Sequence, residues 1–254
     1  MILVGRPCVV PAVLTRGILL RQELEQLWDA HALEYGTGVR KFQFSKAVYG
    51  HRNVKAALAK AQFEKCCFCE GEFRAHVAGD VEHYRPKGAV TTSAGKIYPG
   101  YYWLAYAFEN LYFACPDCNA YRKGSQFPLV VEGHRARNHH DSLTRERPLL
   151  LSPGGPRDPR QHIRFYGDMP IGLTDAGRET ISVLRLDRES LNKRRRKLIR
   201  RLEGDQNIIK TLGTDTHPAR RRLVTDARNS LKMAIRPEAE FSAAAQDFIA
   251  GWRP

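Results

Sequence analysis

Cys66-Cys67-Phe68-Cys69 and Cys115-Pro116-Asp117-Cys118 are two Cys-x-x-Cys pairs in one chain. Each spacing lets two thiolates grip one ion, and four soft thiolates complete a tetrahedral zinc shell with no open position. Such a shell is structural, so this zinc holds the chain together and leaves the chemistry to other residues. A redox reading of either pair needs a thioredoxin-like βαβ setting, which neither has. Cys67 would shorten the spacing if it replaced Cys66, and reads as a core thiol. Cys8 has no partner and reads as buried packing.

Outward from these pairs, the charge is uneven. The chain of 254 residues carries 41 Lys and Arg against 27 Asp and Glu, a net +14. Residues 1–60 hold nine basic and four acidic residues, 61–130 seven of each, and 131–254 twenty-five and sixteen. A neutral, cysteine-bearing middle therefore lies between two basic flanks, which makes nucleic acid the leading partner; simple solubility charge is the alternative. With 43% hydrophobic and 27% charged residues, wholesale disorder is excluded. Runs such as PLLLSP are too short to span a bilayer, so no membrane partner is expected. The opening MILVGRPCVVPAVLTRGILL is broken by Arg6, Pro7, Pro11 and Arg16 and reads as no signal peptide. A cytoplasmic chain is expected, where clustered cysteines favour metal over disulfides.

Periodicity supplies a mainly helical frame. Residues 17–34 show helical spacing, with Leu20, Leu24, Leu27 and Leu33 broadly on one face, and 51–65 form a second helix carrying Val54, Leu58 and Phe63. Residues 77–84 read as a strand and 85–100 as a loop. The aromatic run 101–109 (YYWLAYAFE) is core packing in a helix or a strand, in preference to base stacking. Residues 118–123 open a helix ending at Gly124. Ser152-Pro153-Gly154-Gly155-Pro156 is the clearest linker. Residues 175–203 are largely helical with a stripe of Leu184, Leu191, Leu198 and Leu202, and 219–253 are helical with an interruption at Pro237.

Between the cysteine pairs lies Asp80-Val81-Glu82-His83-Tyr84-Arg85-Pro86-Lys87; Asn110 precedes the second pair and Asn119 follows it. His83 is the central histidine placed beside a carboxylate, and a neutral imidazole can take a proton from water. Lys123 and Arg85 can meet phosphate as fixed positive charges, with Lys87 beside them. This order, with CCFCE (66–70), VEHYRPK (81–87), YYWLAYAFENL (101–111), CPDCN (115–119) and KGSQFPL (123–129), resembles zinc-knuckle HNH endonucleases. Within that class it is similar to the HNH subunits of Septu antiphage systems, the PtuB family, as are RPLLLSP (147–153) and residues 180–202. The likeness covers roughly residues 60–202.

The resemblance implies an α+β fold: a mainly helical protein around a small ββα-metal core with a structural four-cysteine zinc knuckle. It divides the chain into an N-terminal helical region (1–60), an HNH core (61–130) and a basic, mainly helical C-terminal region (131–254). It implies a metal-dependent endonuclease, with His83 as general base, Glu82 and Asn119 as ligands of a catalytic Mg²⁺ or Mn²⁺, and Asn110 holding the histidine-bearing loop. It also implies an ABC-type ATPase partner, PtuA; this chain has no P-loop of its own.

Two departures bear on the detail. Glu82 stands where the pattern usually has Asp, so Asp80 remains a candidate ligand. Adjacent strand residues also face opposite ways, so Glu82 and His83 can share a site only if the strand bends or bulges. Asn119 replaces the usual final His and keeps a metal-binding oxygen.

The run Lys193–Lys197 (KRRRK), with Arg200 and Arg201, is a candidate grip on a nucleic-acid backbone, through Arg194, Arg195 and Arg196 in particular, or a solvated helix face. Arg220–Arg222 carries the same ambiguity. His51, His76, His134, His139, His140 and His162 read as surface or core fillers, although His139-His140 follows Arg135 and Arg137. The alternative function is a zinc-ribbon module that binds nucleic acid or protein without cutting it. DNA is the expected substrate and RNA the other possibility.

Overall fold

Gly17, Leu24 and Tyr35 recur at helical spacing and form the buried face of the first long helix, α1 (Thr15–Thr37), with Trp28 packed against the same core. The computed structural model describes residues 1–253 apart from 6, 8, 74–77 and 252, so Cys8 and His76 lie outside the described residues. The expected leucine stripe is corrected: Leu20 is half-buried, but Leu27 and Leu33 are 41% and 80% exposed. Phase is the reason. At about 100° per residue Leu33 falls nearly opposite the face that Gly17, Leu24 and Trp28 share, and non-helical backbone at His31 (φ −141°, ψ 36°) re-sets the last turn.

Gly17 is required by contact. A Cβ there would stand 2.5 Å from Cβ of Tyr106, whose hydroxyl accepts the Ser45 N–H at 2.8 Å. Gly17→Ala is expected to cost about 1–3 kcal/mol by overpacking. Gly36→Ala, whose Cβ meets only a Trp28 atom at 3.7 Å, is expected to leave the thermal midpoint unchanged or raised. Thermal denaturation of the two variants checks the pair.

Two short helices follow, α2 (Lys46–Tyr49) and α3 (Arg52–Ala61). Val54 and Leu58 are buried as expected, but Phe63 lies past the end of α3, with φ +54°, and is 40% exposed. The aromatic run 101–109 forms two 3₁₀ turns, and Tyr101, Tyr102, Trp103 and Tyr106 are buried core residues. Tyr102 stacks on Phe42, which stacks on Tyr35 at 3.9 Å between ring centroids.

The middle of the chain holds strand β1 (Asp80–His83) and a hairpin of β2 (Val90–Thr92) and β3 (Gly95–Ile97), where only a loop was expected. Strand β4 (Leu111–Ala114) pairs antiparallel with β1, Asp80 opposite Ala114 and His83 opposite Leu111. A π-helical segment, Asp117–Lys123, follows β4 directly and stops at Gly124, whose φ 50°, ψ −120° is a conformation that glycine alone adopts freely. The segment 152–156 is a tied turn, not a free linker: Tyr112 Oη meets Ser152 Oγ at 2.9 Å and accepts the Gly154 N–H at 3.2 Å.

The rest is a hairpin of β5 (Ile163–Tyr166) and β6 (Met169–Gly172) followed by α4 (Asp175–Leu184), α5 (Glu189–Leu212), α6 (Pro218–Ala234) and α7 (Ser242–Ile249). Leu184, Leu191 and Leu202 are buried and Leu198 packs beside them. Buried Asp247 on α7 accepts the Phe165 N–H at 2.7 Å and pairs with Arg160, which ties the last helix to the hairpin. The architecture is α+β, with long helices and three two-stranded sheets among the described residues. No helix among them is long and apolar enough to cross a membrane.

Candidate active site and metal centre

The four cysteines of the two pairs converge: Sγ atoms of Cys66, Cys69, Cys115 and Cys118 all lie within 4.8 Å of one another, and all four side chains are buried. The Cys66 loop is closed by the Glu70 N–H to the Cys66 carbonyl at 3.0 Å, and the Cys115 turn by the Asn119 N–H to the Cys115 carbonyl at 3.0 Å. Arg188, immediately before α5, reaches over, donating to Cys118 Sγ at 3.4 Å and pairing with Asp117 at 2.6 Å. Burial pushes the Cys66 thiol up, while hydrogen bonds from Cys115 and Cys118 hold Cys69 well down. The donor set and spacing are those of a closed tetrahedral site able to hold a metal ion such as zinc. Cys67 is buried beside them, its thiol pushed up by burial, with its N–H on the Phe113 carbonyl.

Strand β1 borders a cleft of about 470 Å³. Asp80, Glu82, His83, Lys87 and Asn119 line it, together with Lys46, Tyr49 and Lys55. The expected bulge is absent: β1 pairs residue for residue with β4 through both Glu82 and His83. The two side chains instead leave opposite sides of the strand end and the cleft wraps around it. Glu82 turns to the π-helical segment and His83 toward α2 and the 3₁₀ turns.

His83 is 5% exposed. Its Nε2–H donates to the Ala105 carbonyl at 2.9 Å, which leaves the Nδ1 lone pair 3.5 Å from Nζ of Lys87. The Tyr49 ring meets the imidazole edge-on at 4.7 Å. Burial first, and then the Lys87 charge, hold the imidazole down to about 3, so it is neutral at ordinary pH. Lys87 is itself lowered by burial and lies 4.7 Å over the Tyr49 ring.

On the other side, residues four apart on the π-helical segment face residues two apart on the strand. Asn119 Nδ2 donates to Asp80 Oδ2 at 3.2 Å, and Lys123 Nζ approaches Glu82 Oε1 to 2.7 Å. Burial pushes the Glu82 carboxyl up, against the pull of Lys123. Lys123 is fully buried and also donates to the His83 carbonyl at 3.0 Å. The expectation that it meets phosphate is therefore corrected: it neutralises Glu82 and pins the strand end. Arg85 is committed in the same way, to buried Glu146 at 3.0 Å. Lys87 alone of the three expected phosphate contacts reaches the cleft.

Asn110 is 4% exposed and grips the chain just past His83. Its Oδ1 accepts the Arg85 N–H at 2.7 Å, and its Nδ2 donates to the carbonyls of Arg85 at 3.0 Å and Leu104 at 3.1 Å. Asn110→Ala leaves these groups without a partner and is expected to cost about 1–3 kcal/mol. Urea unfolding measures that loss, and Asn110→Asp, which keeps the acceptor, is expected to lose less.

The basic run of α5 does not form one face. Arg195 is 1% exposed, donating to the Leu186 carbonyl at 2.7 Å and lying 4.9 Å over the Phe165 ring. Arg194 donates to the Glu72 carbonyl at 2.8 Å and pairs with Glu240, and Arg196 pairs with Asp168 at 2.8 Å. Consecutive helical residues are about 100° apart, so five in a row must circle the helix. Lys193, Lys197, Arg200 and Arg201 remain exposed, and Arg220 pairs with Asp215.

Lys46, Tyr49 and Lys55 were not legible as site residues. They come from α2 and α3, remote in sequence, and their one signal was the basic excess of residues 1–60.

Fold and site together define a class: an α+β protein with a buried four-cysteine cluster able to hold a metal ion, beside a cleft of imidazole, carboxylates, amide and lysines. The chain is a relative of PtuB. It is similar to Septu protein PtuB from Bacillus mycoides (strain KBAB4), 32% identical over 180 residues. The match covers 69% of this chain and 60% of that protein's length. No family model and no solved structure matches the chain.

Proposed function

We propose that this chain is a metal-dependent endonuclease of the HNH type that hydrolyses phosphodiester bonds, DNA foremost, as the effector of an antiphage system. One observation carries the reading: a single cleft gathers an uncharged buried histidine, two carboxylates, an amide and three lysines. In this reading β1, β4 and the π-helical segment are the ββα core, residues 61–130 are the catalytic unit, and the flanking regions enclose it. The four-cysteine centre holds zinc and fixes the segment that carries Asn119.

The cleft's donor chemistry fits a hard divalent cation, since carboxylate and amide oxygens are the ligands that Mg²⁺ and Mn²⁺ select. Asn119 with Glu82 or Asp80 would hold it, and when bound it would stabilise charge on the phosphoryl and leaving oxygens. The chain's own residues do the rest. Ala105 fixes the His83 tautomer so that Nδ1 accepts the proton of the attacking water. Lys87, Lys46 and Lys55 attract and orient the phosphate. Asn110 keeps His83 in place, and Lys123 neutralises Glu82 until a stronger cation competes for it.

Likeness to a Septu protein supports the defence role and an ABC-type ATPase partner, PtuA, that governs when the nuclease acts. Plasmid nicking by the purified chain with Mg²⁺ or Mn²⁺, alone and with that ATPase, tests the reading, with RNA as a parallel substrate. Nicking that needs the metal and vanishes in His83→Ala is the expected result. Metal-independent nicking, or equal nicking by both proteins, would overturn it; binding without cutting under every condition would favour the non-catalytic zinc-ribbon module.

A further inference from the structure

His139 and His140, read from sequence as fillers, meet Asp29 of α1 in three dimensions. His140 Nε2 lies 2.8 Å from Asp29 Oδ1 and His139 Nε2 lies 3.6 Å from Oδ2. The three donor atoms fall within 4.8 Å of one another. A tetrahedral zinc ion with bonds of about 2.0–2.1 Å sets its donors a little over 3 Å apart, so small adjustments close such a set on one ion.

The surroundings hold these donors in place. Asp141 Oδ2 accepts the N–H groups of Arg137 at 2.7 Å and Asn138 at 3.3 Å, and Asn138 Oδ1 accepts the His140 N–H at 2.9 Å. This turn brings the two imidazoles together, with centroids 3.9 Å apart and planes tilted by 39°. Behind them, Tyr102 is fully buried and its Oη lies 2.6 Å from His139 Nδ1. With the proton on Nδ1 donated to that oxygen, the Nε2 lone pair of His139 points to Asp29. Metal-binding histidines are oriented through the far ring nitrogen in this way.

We infer that Asp29, His139 and His140 form a second, solvent-open site for a borderline divalent transition-metal ion such as zinc, separate from the four-cysteine centre. Two imidazoles and a carboxylate match the preference of such ions over Mg²⁺ or Ca²⁺, and water completes the shell. The bound ion would clip α1 to the 137–141 turn.

The test is titration of zinc into the untagged full chain already carrying one equivalent, followed by calorimetry and metal analysis. Wild type is expected to bind one further equivalent, and His139→Ala/His140→Ala to lose it while keeping the first. Tyr102→Phe is expected to weaken the second equivalent about tenfold. Exposed His140→Ala, which leaves the core untouched, is expected to weaken it at least as much and decides the matter should the double variant misfold. Absence of a second equivalent in wild type, or its undiminished uptake by the histidine variants, overturns the inference.

Discussion

Chelating the ion from the four-cysteine centre is expected to unfold the middle of the chain. Closed zinc sites contribute on the order of 10 kcal/mol or more to the folding of small zinc domains, comparable to the roughly 5–15 kcal/mol net stability of an ordinary domain. Here the centre joins the Cys66 loop to the Cys115 turn, which leads into the segment that lines the cleft with Asn119. The Cys66 loop packs against β4 through Cys67, and the Cys115 turn launches the segment bearing Asn119 and Lys123. Without the ion, four buried sulfurs lose their common partner. A strong chelator should abolish the near-UV signal and the cooperative melt, and re-addition of zinc should restore them. Acidification should act in the same direction, because the metal binds thiolates and protons compete for them. Unchanged near-UV signal and midpoint after verified metal loss would sink this prediction.

His83→Ala is expected to lower metal-dependent nicking by about 10²–10⁴-fold, the usual contribution of a positioned general base. The tautomer sets this role: Ala105 takes Nε2–H, so Nδ1 is the lone pair left at the cleft. In the resting protein that nitrogen is a poor base, held down to about 3 by burial and Lys87. A phosphodiester seated on Lys87 offsets that charge and raises the imidazole when substrate is present. His83→Gln, which can still donate to Ala105, should fold normally and remain inactive, separating proton transfer from packing. Recovery of full nicking in His83→Gln would remove His83 from the chemistry.

The same lowered value has a consequence for stability. The unfolded chain takes up a proton near 6.5, whereas the native imidazole resists it down to about 3. Native stability is therefore full above about 6.5 and falls as pH drops toward 3. In His83→Gln this part of the acid sensitivity should disappear, a difference that denaturant unfolding at pH 7 and pH 5 can measure.

The sequence by itself determined the two cysteine pairs of the cluster, because ligand spacing within a turn is local: Cys66 and Cys69, like Cys115 and Cys118, are held close enough to share one ion. It also determined most of the helical frame, through apolar spacing in α3, α4 and α5, and the core role of the aromatic run. Tertiary structure alone decided the phase of α1, where Leu27 and Leu33 are exposed because Gly17 must meet Tyr106. It decided which charges are free: Lys123, Arg85 and Arg195 look alike with other cations in sequence, but each is committed to a partner brought from elsewhere in the chain. It also carried Tyr49, Lys46 and Lys55 to His83, and Asp29 to His139 and His140. Pairings of this kind are set by packing between remote segments, which leaves no periodicity for a linear reading to detect.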